Sequence, residues 1–336
     1  MIDKNNVKTS KVTIYDVASE ANVSLATVSR VLNYPEKVRP ETRERVLEAI
    51  NKLGYRPNVI ARGLASRRST TVALIVPDAS RASVAEMING VVDIARKYDY
   101  TVILKITNGE QEIEEEIWKE VSAAQVDGVI YLNDELQERN IEQLKQLNVP
   151  VVLCNTQEEQ NRFPSVSIDL EKAFYEATKK FIDDGCKDIL LISTRSSFTV
   201  NTLKERGYKR AMEEHGLEPK LIRTSGRINI NYPFFVDYLK EHKPEVAIVV
   251  RDSIAVSLIN AAFKVGYKVP DDLQVLGFQN TKYSKMSRPN LSTIDNPIYD
   301  IGAVSMRLLT KLMNNEEVDQ TNVILPHDIM WRESTL

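Results

Sequence analysis

The feature that most constrains the fold is the alternation of short apolar runs with longer amphipathic segments from Thr71 onwards. Continuous apolar runs of this length predict strands that are buried on both faces. The segments between them have room for helices, so the pattern predicts an α/β fold with parallel sheets covered by helices. The predicted strands are residues 72–77, 101–106, 127–132, 149–155, 166–170, 188–193, 221–224, 246–250 and 274–278.

The same alternation predicts two lobes of about 100 residues each within residues 71–336. We expect their boundary near residues 155–165 and expect the chain to cross between them. One lobe would hold residues 71–160 plus 290–320, and the other residues 161–289 plus 321–336. A helix over residues 300–314 should pack its apolar side on a lobe.

Composition limits the class of protein. The 336 residues, 43% of them hydrophobic, suffice for about two domains and a small module. We expect no transmembrane helix and no signal peptide, and hence a cytoplasmic protein, because apolar runs are short and the N-terminus is polar. Cys154 and Cys186 are expected to be reduced, and the three histidines are scattered, so we predict no metal site and no cofactor.

Charge is distributed unevenly along the chain. Residues 1–68 hold 13 basic and 7 acidic side chains, a net charge of +6. With 44 basic and 47 acidic residues in total, the remainder holds 31 and 40, a net charge of −9. A small basic head on an acidic body is typical of a protein that docks one end on nucleic acid, although a chance fluctuation in surface charge is an alternative.

The stretch from Thr13 to Asn33 predicts two short helices joined by a tight turn. Thr13 and Asp16 fit the start of the first helix, and Asn22 suits a left-handed turn position. Ser24 can cap the second helix. A helical projection puts Val28, Val31 and Leu32 on one side, and Leu25, Ala26, Ser29, Arg30 and Asn33 on the other. The polar side suits a helix that lies in a DNA major groove.

A third helix is predicted from Pro40 to Gly54, with an apolar face formed by Val46, Leu47, Ile50 and Leu53. Three such helices make a small helix-turn-helix headpiece over residues 1–56. Residues 57–70 are interpreted as a linker that has room for one short helix, because they combine proline, glycine, arginines and hydroxyl residues.

The motifs TIYDVA-x-x-A-x-VS-x-ATVSRVLN and GYRPN-x-x-ARGLAS resemble the LacI/GalR family of bacterial transcription repressors. The resemblance covers residues 13 to about 332 and implies a periplasmic-binding-protein-like core and a homodimer on a pseudo-palindromic, double-stranded operator. It implies that Leu25 and Ala26 read base edges and that Arg30 binds a guanine. The positions implied to lie along the DNA backbone at the headpiece are Thr13, Tyr15, Thr27, Ser29 and Asn33, and Ser24 is a further DNA-binding position.

The linker resembles the hinge helix of this family. Leu64 matches a leucine that wedges between base steps in the minor groove, and Asn58, Ala61 and Arg62 match positions along that groove. Packing of Leu64 within the protein is the alternative interpretation.

The stretches ARGLASRRSTTVALIVPD and RPNLSTIDNPIYDIGAVSMRLLTKLMN resemble one branch of the family. That branch regulates carbon-catabolite genes, and its corepressor is the serine-phosphorylated form of the phosphocarrier HPr. The matching contact positions are Tyr98, Tyr100 and Arg288, since a guanidinium pairs well with a phosphate. The alternatives are a helix-to-strand turn for the tyrosines and a surface loop for Arg288.

Most of the family binds a sugar or nucleobase in the cleft between the lobes, which makes a small-molecule effector the second hypothesis. Asp169, Asp252 and Gln279 are the candidate cleft residues, although Asp252 also fits a helix N-cap. Leu203 and Arg251 depart from the family pattern and argue against tight sugar binding.

Two other classes of protein fit less well. The lobes alone resemble a sugar-binding protein of an importer, but the basic head and the absence of a signal peptide argue against that function. We predict that the chain is not an enzyme, because the sequence contains no G-x-G pair, no Walker A motif and no G-x-S-x-G elbow.

Overall fold

A computed structural model describes residues 12–55, 69–156, 160–194 and 198–336. The chain divides into two compact units, residues 1–69 and residues 70–336, which are described in turn. The linker helix predicted for residues 58–66 lies outside the described residues.

Three helices form the headpiece: α1 (Ile14–Glu20), α2 (Leu25–Asn33) and α3 (Pro40–Leu53). Their buried core contains Val17, Ala18, Ala21, Val28, Val31, Val46 and Ala49. The predicted apolar face of α3 was wrong at one position. Leu47 is 44% exposed, whereas Ala49 is 3% exposed, because residues three apart from Val46 face the other two helices and Leu47 is rotated away from them.

The predicted helix ends of the headpiece are confirmed. Asp16 Oδ2 accepts hydrogen bonds from the backbone N–H and the hydroxyl of Thr13, at 2.7 and 2.8 Å. Asn22 has a φ of 49° in the turn between α1 and α2. Gly54 ends α3 with a φ of 62°. These local features fix the angles at which the chain enters and leaves each helix.

The first lobe is built on a six-stranded sheet of order β11-β5-β4-β3-β1-β2, in which every neighbouring pair is parallel. Its strands are β1 (Thr71–Val76), β2 (Thr101–Ile106), β3 (Gly128–Tyr131), β4 (Val151–Cys154), β5 (Ser165–Ile168) and β11 (Asn322–Leu325). Its helices are α4 (Ala82–Lys97), α5 (Gln111–Ala123), α6 (Glu138–Gln146) and α12 (Ile298–Met313).

The second lobe has a sheet of order β12-β10-β9-β8-β6-β7, which is parallel except for the antiparallel pair β10 and β12. Its strands are β6 (Ile189–Ser193), β7 (Lys220–Arg223), β8 (Val246–Val249), β9 (Gln274–Phe278), β10 (Ser292–Asp295) and β12 (Asp328–Met330). Its helices are α7 (Leu170–Asp183), α8 (Thr199–Glu214), α9 (Ile228–Glu241), α10 (Asp252–Lys264) and the short α11 (Lys282–Met286).

The expected lobe ranges need correction at three strands. β5 and β11 belong to the first sheet, where β5 joins β4 and β11 joins β5, and β10 belongs to the second sheet. The chain therefore crosses between lobes after β5, after β10 and after β11. The order of residues along the chain does not reveal which sheet a short strand joins, because that depends on pairing between distant segments.

In the described ranges no helix is both long and apolar enough to cross a membrane. Among those residues, no group of three or more His, Cys, Asp or Glu side chains is placed to hold a metal ion. Cys154 and Cys186 are free thiols.

Candidate nucleic-acid interface and inter-lobe cleft

The second helix of the headpiece carries an exposed polar face. Val28 and Val31, at 0% and 3% exposure, anchor the opposite side in the core. Ser24 Oγ accepts a hydrogen bond from the Thr27 N–H at 3.2 Å and lies 2.9 Å from Thr27 Oγ1. The first turn of α2 is therefore fixed by its cap, while a rigid helix directs its outer side chains into solvent.

The side chains expected to touch DNA lie on or beside this face. Leu25 is 37% exposed, and Ala26 and Arg30 are exposed. Tyr15 is 67% exposed. The remaining positions are Thr13 and Ser24, which are exposed, and Thr27 and Ser29, which are half-buried.

Several expected DNA-binding positions cannot be placed in this way. Asn33 is the last residue of α2, and its side chain lies outside the description. Asn58, Ala61, Arg62 and Leu64 lie outside the described residues. Their roles stay predictions.

A cleft of about 880 Å³ separates the two lobes. Its wall includes residues that follow strands of both sheets, such as Asp78 after β1, Thr194 after β6 and Arg251 after β8. All three follow the carboxyl ends of parallel strands, which is where open α/β sheets bind ligands.

The cleft contains a group of charged side chains that the sequence analysis missed. Arg81 Nη1 donates a hydrogen bond to Asp134 Oδ2, and its Nε lies 3.5 Å from Asp78 Oδ2. Arg251 Nη2, from the second lobe, lies 3.7 Å from the same Asp134 oxygen. Arg81 and Asp134 come from loops of the first lobe, and nothing in their local sequence indicates that Arg251 faces them.

Lys204 lies on α8 beside this group and is only 5% exposed. Burial, together with repulsion from Arg251, lowers the pKa of Lys204 to about 7. Its ammonium lies over the rings of Phe278 and Phe174, at 4.4 and 5.9 Å from their centroids. Aromatic faces offer a buried cation partial compensation for lost water.

Glu114 of α5 is a second buried ionisable group on the cleft wall. Burial raises the pKa of its carboxyl. The Tyr131 hydroxyl and the Asn140 amide both donate hydrogen bonds to this carboxyl and oppose that shift. Tyr131, Asn140 and Glu114 all belong to the first lobe, so these hydrogen bonds stabilise the cleft wall of that lobe.

The three expected cleft residues occupy different environments. Gln279 lines the cleft at the end of β9. Asp252 lies beneath it at 1% exposure, where the Thr281 N–H and hydroxyl and the Thr293 hydroxyl donate to its two oxygens at 2.6, 2.9 and 2.7 Å. Burial raises the pKa of Asp252 to about 6 despite these hydrogen bonds.

Asp252 is also not the N-cap of α10, because that position belongs to Arg251. Asp169 caps α7 instead, and its Oδ1 accepts a hydrogen bond from the Lys172 N–H at 2.9 Å. Asp169 and Asp252 therefore both accept hydrogen bonds from within the protein, and Gln279 lies on the wall of the cleft.

Comparison with known proteins identifies the family. A model described as "Bacterial regulatory proteins, lacI family" matches residues 13–58, and one described as "Periplasmic binding protein-like domain" matches residues 178–335. Catabolite control protein A of Priestia megaterium is 45% identical over 332 residues, covering 96% of this chain and 99% of that protein. The chain belongs to the lacI family of bacterial regulatory proteins. A protein of the same name from Staphylococcus epidermidis is 42% identical over 328 residues, again covering 96% and 99%.

Solved structures agree with this lacI-family assignment. The transcription regulator CcpA of Lactococcus lactis has a TM-score of 0.74 at 35% identity, covering 79% of this chain and 99% of that chain. The Lac repressor dimer bound to operator has a TM-score of 0.88 at 24% identity, covering 97% and 99%, and so shares the fold. The predicted headpiece and two-lobed core are confirmed, and the chain is a DNA-binding transcription regulator.

The three positions expected to contact a corepressor lie on different lobes of this lacI-family chain. Tyr98, 44% exposed, and the half-buried Tyr100 follow α4 of the first lobe. Arg288 lies between α11 and β10 of the second lobe, where its Nη1 donates to the Ser287 carbonyl at 2.8 Å and to Asn290 Oδ1 at 3.0 Å. The structure therefore does not join Arg288 to the tyrosines within one lobe.

A continuous surface near Tyr98 is formed by α4 and α12 together. These helices approach closely because both contact points are glycines: a Cβ at Gly90 would lie 2.1 Å from the Tyr299 carbonyl oxygen, and one at Gly302 would lie 2.3 Å from that of Met87. The Tyr299 hydroxyl donates to Asp93 Oδ2 at 3.0 Å and links the two helices at their exposed side. Exposed basic residues on this pair are Arg96, Lys97, Arg307 and Lys311.

Proposed function

We propose that the chain is a cytoplasmic homodimer that binds a pseudo-palindromic operator and regulates carbon-catabolite genes with serine-phosphorylated HPr as corepressor. The exposed face of α2 carries the DNA-binding part of this proposal. The part concerning carbon catabolism is supported by similarity, over nearly the whole chain, to proteins named catabolite control protein A.

The headpiece reads one half of the operator. Arg30 donates two hydrogen bonds to a guanine, while Leu25 and Ala26 contact neighbouring base edges. The backbone contacts of Thr13, Tyr15, Ser24, Thr27, Ser29 and Asn33 set the register of the helix in the groove. A single helix of nine residues covers few base pairs, so two headpieces on a two-fold axis give the required specificity.

The hinge residues act between the two half-sites. Leu64 wedges into the minor groove, and Asn58, Ala61 and Arg62 lie along it. The two copies of Leu64 act at the centre of the same operator, so the lobes of the dimer control operator affinity through the spacing of the two hinges.

Docking of a phosphorylated protein is supported by the chemistry of the α4–α12 surface. Tyr98 and Tyr100 offer aromatic contact, and the basic side chains nearby suit a phosphoserine. Arg307 is exposed on α12 of the same lobe as these tyrosines, whereas the guanidinium of Arg288 is engaged by its own loop in the other lobe.

Regulation by a small sugar or nucleotide in the cleft is the second candidate. The volume of about 880 Å³ and the position of Gln279 favour it. The pairing of Arg81 and Arg251 with Asp134 disfavours it, because a ligand would have to displace these contacts.

The deciding experiment measures binding to an operator-containing duplex by fluorescence anisotropy, with phospho-HPr, with unphosphorylated HPr and with a metabolite panel. The proposal expects phospho-HPr alone to strengthen binding, and expects Arg307→Ala, but not Arg288→Ala, to abolish that gain. If phospho-HPr has no effect and one metabolite changes operator affinity, the proposal of an HPr corepressor is wrong and a ligand in the cleft regulates the protein.

A further inference from the structure

Asp134 and Arg251 form an ion pair that spans the cleft. Asp134 follows β3 of the first lobe, and Arg251 follows β8 of the second. The distance from Arg251 Nη2 to Asp134 Oδ2 is 3.7 Å, and the side chains are 19% and 16% exposed. Charges this far removed from water interact more strongly than surface pairs do.

The carboxylate of this pair is fixed by its own lobe. Arg81, at the start of α4, donates to the same Asp134 oxygen. Arg81 is also 3.5 Å from Asp78, whose Oδ1 accepts hydrogen bonds from the Ser80 N–H and hydroxyl at 2.9 and 2.6 Å. Asp134 therefore stays with the first lobe if the lobes separate.

The guanidinium is confined by the second lobe. A Cβ at Gly226, where φ is 76°, would lie 3.3 Å from Arg251 Nη1, so a side chain there would crowd the arginine. Burial lowers the pKa of Arg251, and repulsion from Arg81 adds to this effect. Two half-buried cations, Arg81 and Arg251, thus share one carboxylate, and parting the lobes would separate Arg251 from it.

We propose that Arg251 and Asp134 form an inter-lobe latch that holds the cleft closed by the protein's own side chains, without a small-molecule ligand. Arg81 is the positioning residue that presents Asp134 to Arg251. Under the proposed function, on which this consequence rests, the latch sets the basal operator affinity and leaves protein docking as the principal regulatory input.

Accessibility of a cysteine inside the cleft tests the latch. Ser83 of α4 lines the cleft and is 6% exposed, so a thiol introduced by Ser83→Cys reacts with an aromatic disulfide reagent only when the lobes part. Cys186 is replaced by Ala in all proteins. Cys154 is fully buried, and burial raises its pKa to about 12, so its reaction reports unfolding of the first lobe.

Three variants are compared in this background. Arg251→Met and Asp134→Asn each remove one partner of the pair, and Arg227→Met removes an exposed arginine at the rim of the same cleft. The latch predicts that both partner variants speed the reaction of the cleft thiol at least about fivefold, the lower end of typical coupling between sites. Arg227→Met should leave the rate unchanged.

Two results would overturn the latch. In the first, the cleft thiol reacts no faster in the partner variants than in Arg227→Met. In the second, the reaction rates of the cleft thiol and of Cys154 rise together, which indicates unfolding of the first lobe. The measurement needs no DNA. A protein that shows the latch but binds no operator, with or without phospho-HPr, would therefore count against the proposed function and not against the latch.

Discussion

The ammonium of Lys204 lies 4.4 Å from the centroid of the Phe278 ring, where the second lobe borders the cleft. The helix α8 supplies the lysine and the end of β9 supplies the ring, so the contact exists only after the sheet has formed. A lysine buried in this way makes the stability of the protein depend on pH.

Substitution of Lys204 by Met should change that dependence. The folded chain holds Lys204 with a pKa of about 7, against 10.5 for an unperturbed lysine. Between these values the unfolded chain binds more protons, so the free energy of unfolding contributed by this group rises as the pH increases from about 7 towards 10.5. Lys204→Met should be more stable than the parent near pH 7, by a difference that shrinks at higher pH.

Thermal and denaturant unfolding between pH 7 and 9.5 measure this difference. Lys209 is an exposed lysine on the same helix, so Lys209→Met is the matched control. Its free energy of unfolding should depend on pH in the same way as that of the parent. If the free energy of unfolding of Lys204→Met also changes with pH in the same way as that of the parent, the folded protein keeps Lys204 charged.

Arg30→Ala should weaken operator binding by about 1–3 kcal/mol and relax specificity at one base pair. The loss follows from a guanine left without its two hydrogen bonds. Fluorescence anisotropy with the operator and with single-base variants measures both effects. Arg45 is an exposed arginine of α3, so Arg45→Ala changes the headpiece charge by the same amount. This variant should weaken binding to the operator and to its single-base variants by the same factor.

Ser24→Ala should lower headpiece stability by about 0.5–2 kcal/mol, because the Thr27 N–H loses its acceptor. Ser24→Asp keeps an acceptor at the cap and should retain that stability, while its charge repels a nearby phosphate and lowers operator affinity. Thermal unfolding combined with operator titration separates the two roles. Operator affinity equal to that of the parent in Ser24→Asp would show that Ser24 does not contact the DNA backbone.

Leu64→Ala should leave the thermal unfolding of the core unchanged and weaken operator binding by about 1.5–3 kcal/mol, the range for a buried leucine side chain. A duplex kinked in advance at its centre should recover part of the loss, because the wedge is then less needed. Equal affinity of variant and parent for the straight operator would contradict the wedge.

Local features were predictable where neighbouring residues decide them. Asp16, Asn22, Ser24 and Gly54 act within one turn of their own backbone, and each lies where the sequence indicates. The alternation of apolar runs likewise fixed the parallel α/β class, because a strand buried on both faces must be apolar throughout.

Pairings between distant segments required the tertiary structure. The sheet joined by β5, β10 or β11 depends on which edge is free when the lobes assemble, and no local signal encodes it. Asp252 resembles a ligand-binding residue in sequence, yet its oxygens are taken by Thr281 and Thr293, which are 29 and 41 residues away.

By itself the sequence determined that a capped helix carries Arg30 on its polar side and that a parallel α/β core follows along the chain. Only the tertiary structure decided that Arg251 reaches Asp134 and that Lys204 is buried against Phe278. The physical reason is range. Capping and periodicity act over three or four residues, whereas these two contacts join residues that are 74 and 117 positions apart along the chain.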